Sequence, residues 1–304
     1  MEVLSSLFTI LVIVILGILS RKFGIFKAEQ AKTLSSFVYY FGLPALFFVK
    51  ISNIDLLALD YQLVLGSLLP TATLLVFLLL LKITRLIAKD TYILLSLSIS
   101  FGSYAFFGIA FFETFQDGRW LEHSIVAASV LGVLGIISTL LLLEYANQQK
   151  KSGGFLAKIF KNPLILSILL GTIFSLAGIK LSFLNFSLTL VGQTASAIAI
   201  FVLGMFIYDR FSLAIIRDAL PYSLFRMIAL PAAAWFTIRL LLPGGGDLDQ
   251  FLLLLNGMPA AIALVVFAER YDYKVTETAG IVSLTSILSF LGLTGIFYLV
   301  NMIQ

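Results

Sequence analysis

Apolar stretches of roughly 20 residues recur from one end of this chain to the other, separated by short polar connections. Nothing constrains its fold more. In hydrocarbon an unpaired backbone N–H or C=O costs several kcal/mol, so a crossing segment must close its hydrogen bonds within itself or in a closed barrel. At about 1.5 Å of rise per residue, a helix of ~20 residues spans a core ~30 Å thick. Ten such spans are expected, near residues 3–20, 34–51, 61–81, 91–113, 124–145, 162–180, 187–208, 219–242, 250–268 and 277–301. The chain is 60% hydrophobic and 12% charged, with a mean hydropathy of +1.07. Soluble domains carry about a quarter charged residues. The fold class is therefore an all-α integral membrane protein of ten transmembrane helices, without room for a sizeable soluble domain.

Cysteine is absent and His123 is the single histidine. Disulfides, thiolate metal sites and cysteine nucleophiles are excluded, and a histidine metal cluster is not expected. An intramembrane enzyme needs a nucleophile and base, or a metal set, within the bilayer. That inventory is missing, so neither catalysis nor a cofactor is expected. No Lys or Arg precedes the first apolar run and no clear cleavage site follows it, which argues against a secretory signal peptide.

The formal charge of +4 is explained by topology rather than by a nucleic-acid partner. One side holds fifteen basic residues: Arg21, Lys22, Lys27, Lys32, Lys82, Arg85, Lys89, Lys150, Lys151, Lys158, Lys161, Arg210, Arg217, Arg270 and Lys274. The other holds four, Lys50, Arg119, Lys180 and Arg239. This positive-inside bias puts both termini outside, in the cell (inner) plasma membrane.

A polar linker over residues 148–161 divides the chain into 1–147 and 162–304, with five expected spans on each side. Five is odd, so the second half enters the membrane in the opposite orientation. An inverted repeat follows. Phe101-Gly102-Ser103-Tyr104-Ala105 and Asn256-Gly257-Met258-Pro259-Ala260 both interrupt apolar runs, 155 residues apart. The same offset relates Asp117 to Asp272, Arg119 to Lys274 and Glu122 to Glu277, while Gly17 and Gly24 match Gly171 and Gly178 at 154.

A duplicated, interrupted helix is the sequence signature of a secondary transporter with its site at the repeat interface. Such a break frees N–H and C=O groups for a solute, and half-helix N-termini present positive dipole ends to anions. In the ninth span Gly257 and Pro259 flank Met258; the proline removes a donor and clashes with the preceding turn, and Asn256 adds an amide. The alternative is a proline kink filled by packing. The fourth span has Gly102 and Gly108 but no proline. Ser103 and Tyr104 there supply hydroxyls, or serve close helix packing. In the seventh span Gln193, Thr194 and Ser196 either line the cavity or bond a neighbouring helix, and Gly42 with Pro44 kinks the second span. Arg226 is the one basic residue well inside a span. It pairs with a substrate anion or a carboxylate, or it snorkels to the interface.

The residues Leu16-Gly17-Ile18-Leu19-Ser20-Arg21-Lys22, Leu43-Pro44-Ala45-Leu46, Asn162-Pro163-Leu164-Ile165 and Met258-Pro259-Ala260, with Ala268-Glu269-Arg270-Tyr271 and Ser283-Leu284-Thr285, resemble the auxin efflux carrier family over essentially the whole chain. These are PIN-like transporters that include malate and malonate permeases, in a superfamily with the bile-acid sodium symporters. The resemblance implies scaffold and transport bundles drawn from both repeats, broken helices four and nine crossing at the site, an elevator-like movement, and often a homodimer. Where the family's fourth span commonly has Asn and Pro, this chain has Ser103 and Ala110. The expected function is a secondary carrier of small organic anions, carboxylates first. Substrate contacts are expected from Gly102, Ser103, Tyr104, Asn256, Gly257, Met258, Pro259, Gln193 and Thr194, with Arg226 as charge partner. Proton or sodium coupling is compatible with this; the rival reading is a sodium-coupled symporter of the bile-acid type or a cation/proton antiporter.

Overall fold

The computed structural model describes residues 2–53, 60–147, 163–179, 182–210, 212–241 and 246–303. The expected linker at 148–161, with its four lysines, and Lys180 lie outside the described residues. Helices occupy each of the ten apolar stretches, and no strand is present among the described residues. We number them α1 (Glu2–Lys22), α2 (Ala28–Phe37), α3 (Leu43–Asn53), α4 (Tyr61–Ile83), α5 (Lys89–Ser100), α6 (Ile109–Thr114), α7 (Leu121–Ala146), α8 (Pro163–Leu176), α9 (Ser182–Arg210), α10 (Leu213–Leu241), α11 (Asp247–Asn256), α12 (Ala263–Tyr271) and α13 (Val275–Ile303).

Six helical stretches are continuous and apolar enough to cross a bilayer: Ala28–Asn53, Tyr61–Ile83, Leu121–Ala146, Phe183–Asp209, Ala214–Leu240 and Val275–Leu299. The 26 residues of α7 extend about 39 Å, more than the ~30 Å hydrocarbon thickness. Asp60 caps α4 by accepting from the Gln62 N–H at 2.8 Å. The second span is not a plain helix. A π-helical turn at Val38–Gly42 joins α2 to α3, just before Pro44, whose ring cannot donate to the ladder.

The chain forms two compact units. The first comprises Met1–Thr9, Asp60–Ala146 and Arg210–Gln304; the second comprises Ile10–Leu59 and Asn147–Asp209. In the first unit α10 packs on α13, α4 and α5, and α7 on α4 and α5. Its phenylalanine-rich end joins α6, α7 and α11, with Phe112 and Phe251 rings 4.8 Å apart and Phe115 stacked on Trp120 at 5.6 Å.

In the second unit α3 packs on α8, and glycines let backbones approach. A Cβ at Gly17 would strike the Phe201 carbonyl, and one at Gly204 the Val14 carbonyl. A Cβ at Gly171 would lie 3.1 Å from the Phe48 carbonyl. Small residues at such contacts let membrane helices associate through dispersion rather than apolar burial. The C-termini of α1 and α8 are built alike. Gly24 and Gly178 take φ of 69° and 65°. Ile25 N–H reaches Ser20 O, and Ile179 N–H reaches Phe174 O, both at 2.9 Å. Each is a helix stop that needs a residue tolerant of positive φ.

Candidate functional site

Two interrupted segments meet within the first unit. α5 ends at Ser100, Phe101 is extended (φ −128°, ψ 103°), and a π-helical turn at Tyr104–Gly108 leads into α6. α11 ends at Asn256, and the chain leaves helical form before α12 resumes at Ala263. The fourth span is thus interrupted despite having no proline. Its extended backbone finds partners in the other break. Ser103 N–H donates to Pro259 O at 2.8 Å, and Ala261 N–H donates to Phe101 O at 2.9 Å. Gly102 and Ala260 face each other between these bonds as an isolated antiparallel bridge.

The segments also join at their ends. Lys274, after α12, lies 3.8 Å from Asp90 at the start of α5. Tyr273 donates to the same carboxylate at 3.1 Å. Reciprocally, Arg119, past the end of α6, pairs with Asp247 at the start of α11. The segments therefore run antiparallel, held at both ends and in the middle. Burial first, then the neighbouring Asp90 carboxylate, push the Tyr273 hydroxyl above the usual tyrosine range. The Glu277 carboxylate raises Lys274.

Arg226, from α10, is fully buried. Its Nε donates to Met258 O at 3.2 Å, and its Nη2 to Met258 O at 3.0 Å and Pro259 O at 3.1 Å. Its Nη1 donates to Ser98 O and, at 3.3 Å, to Ile99 O. All three guanidinium nitrogens thus donate to carbonyls, of the last turn of α5 on one side and of the second break on the other. Of the alternatives for this side chain, it does not snorkel and, among the described residues, meets no carboxylate. The last carbonyls of a helix carry its negative dipole end, where a cation is favoured. Arg226 answers that need at α5 and in the second break together.

Sequence-predicted residues divide by location. Gly102, Ser103, Tyr104, Asn256, Gly257, Met258 and Pro259 are brought together around the paired breaks. A Cβ on Gly102 would collide with the Tyr104 ring and the Arg226 guanidinium. Tyr104 is buried, its hydroxyl beside Arg226 without a well-formed hydrogen bond. Ser103 Oγ and Asn256 Oδ1 are buried without a partner among the described residues, while Asn256 Nδ2 donates to Leu252 O at 2.9 Å. Phe107 and Gly108 N–H groups both return to Ser103 O at 2.9 Å. The N–H groups just before them, in the first turn, have no intrahelical acceptor. Gln193 and Thr194 belong to the second unit, exposed on α9, where the Thr194 hydroxyl donates to Val191 O at 2.7 Å. The Ser196 side chain lies outside the described residues.

Sequence reasoning missed one contributor. Thr285 of α13 accepts the Ala260 N–H at 3.1 Å, holding the backbone next to Pro259. Its signal was a hydroxyl pair, Ser283 and Thr285, on an apolar span.

The arrangement supplies two broken helices, a buried cation and unpartnered polar atoms, the parts from which solute sites in membrane carriers are built. Comparison with known proteins points to a transporter. Residues 2–154 and 148–297 match the family described as membrane transport protein. The chain is 26% identical over 297 residues to an uncharacterized transporter of Methanocaldococcus jannaschii, covering 93% of this chain and 94% of that one. The chain is a multi-pass membrane transporter and belongs to the membrane transport protein family, that of the auxin efflux carriers.

Proposed function

We propose that this protein is a secondary carrier of small organic anions, carboxylates first, working by alternating access. The observation that carries the reading is the buried Arg226 charge at the paired breaks, matched by carbonyls and by no carboxylate among the described residues. Carbonyl dipoles solvate a cation without cancelling its charge, so the site remains attractive to an anion. The first-turn N–H groups after Ser103 add positive dipole ends. Ser103, Tyr104 and Asn256 are its polar side chains.

In this reading ten spans form two inverted five-helix repeats. The paired conformations of Gly24 and Gly178 support it, as do the φ of 55° at Asp117 and 49° at Asp272. The first unit is taken as the transport body and the second, which carries Gln193 and Thr194, as the scaffold. An elevator-like movement within a homodimer, in the plasma membrane with both termini outside, completes the proposal.

Thermal-shift screening of the purified protein against mono- and dicarboxylates, with chloride and organic cations as controls, tests it. Carboxylates should raise the melting temperature, as ligands that bind only the folded state do. Stabilisation by organic cations alone would overturn the reading.

A further inference from the structure

Between the broken helices lies a carbonyl cluster of the kind that holds a coupling cation in carriers, where unwound backbone and half-helix C-termini supply oxygen ligands. Ser98, Ile99, Met258 and Pro259 provide four such oxygens, from both segments. Here the cluster is already occupied by the chain itself. We infer that Arg226 is a tethered cation standing where a free sodium ion would otherwise bind, so that the paired breaks hold together without a coupling cation at that place. This rests on the carrier reading of the site and adds how its charge is supplied.

Three observations carry the inference. The guanidinium is fully buried, so its charge is not shared with water. All three of its nitrogens donate to main-chain carbonyls, and no formal anion among the described residues neutralises it. The acceptors lie on segments 128 and 32 residues away in sequence, on both breaks, so one side chain of α10 ties both to a third helix. A free cation would hold the same carbonyls only at sufficient ion concentration. A tethered one holds them always, and the planar fork of arginine reaches several acceptors at once, as a point charge cannot. Gly102 is part of the same device, because a side chain there would occupy the space of Nη2.

The test uses the full-length protein in detergent, without an organic anion, so its outcome is independent of whether the substrate is a carboxylate. Wild-type melting is compared in sodium, potassium and choline chloride at equal ionic strength, then repeated for Arg226→Lys and Arg226→Gln. The expected result is one melting temperature for wild type in all three salts and a loss for the lysine variant that is smaller than that of the glutamine variant. The glutamine variant should fall by roughly 10 °C and recover at least half of that with sodium or with millimolar guanidinium chloride. A sodium-specific rise in wild type overturns the inference, because the cluster then still takes a free ion. Equal melting of the glutamine and lysine variants overturns it as well, since charge would not be what Arg226 supplies. If the glutamine variant is not recovered folded, the lysine variant decides: folded supports the tethered cation, unfolded contradicts it.

Discussion

Gly102 faces Ala260 across the paired breaks, with the Ser103–Pro259 and Phe101–Ala261 hydrogen bonds on either side. That makes them a non-hydrogen-bonded antiparallel pair, the kind with Cα atoms only about 4.5 Å apart. The space that a side chain at Gly102 would need is taken by the Tyr104 ring and the Arg226 guanidinium. Gly102→Ala should cost about 1–3 kcal/mol through overpacking, and Gly102→Val should abolish transport. Melting and uptake are the checks; an unchanged melting temperature with full uptake in Gly102→Val contradicts the pairing.

Asn256 and Ser103 bury polar atoms that no group among the described residues satisfies. Removing a hydrogen bond to a charged solute typically costs about 1.5–3 kcal/mol, or roughly 10- to 100-fold in affinity. Asn256→Ala should lower uptake by that order while leaving membrane insertion and melting nearly intact. Wild-type uptake in this variant would remove Asn256 from the site.

Tyr273 sets a limit at high pH. Its hydroxyl is held above the usual range by burial and by Asp90. A group whose folded value is raised contributes stability that is complete below its unfolded value, about 10, and is lost as pH rises toward the folded value. Melting should therefore decline above about pH 10, and Tyr273→Phe should flatten that decline. Identical pH profiles for the two proteins would show that the Asp90 contact carries no such linkage.

In the second unit the Gly17–Gly204 approach is equally tight, with a Cβ at Gly204 only 3.0 Å from the Gly17 Cα. Gly204→Leu should cost about 1–3 kcal/mol and lower the melting temperature by roughly 2–4 °C per kcal/mol. A variant that melts with wild type would mean that α1 and α9 part easily there.

Much of the fold was legible because hydropathy is a local signal. Each apolar stretch needs its backbone bonds closed internally, and each became helical. The ninth-span break was legible for the same reason, since Pro259 announces a missing donor. The fourth-span break was only half legible. Ser103 and Ala110 enforce nothing locally, and the segment opens because Phe101 and Ser103 bond a stretch some 156 residues away. Arg226 shows the same limit. Its burial cost marked it as important, but its partners are carbonyls, which every residue carries, so composition could not name them. Thr285 was hidden likewise, being one hydroxyl among many.

The most direct test of the central claim is counterflow in proteoliposomes loaded with an unlabelled carboxylate and offered the labelled one outside. Saturable uptake above empty vesicles is predicted, competed by other small carboxylates and lost in Gly102→Val. Uptake equal to empty vesicles for every carboxylate, with an organic cation or neutral solute accumulating instead, would contradict the account.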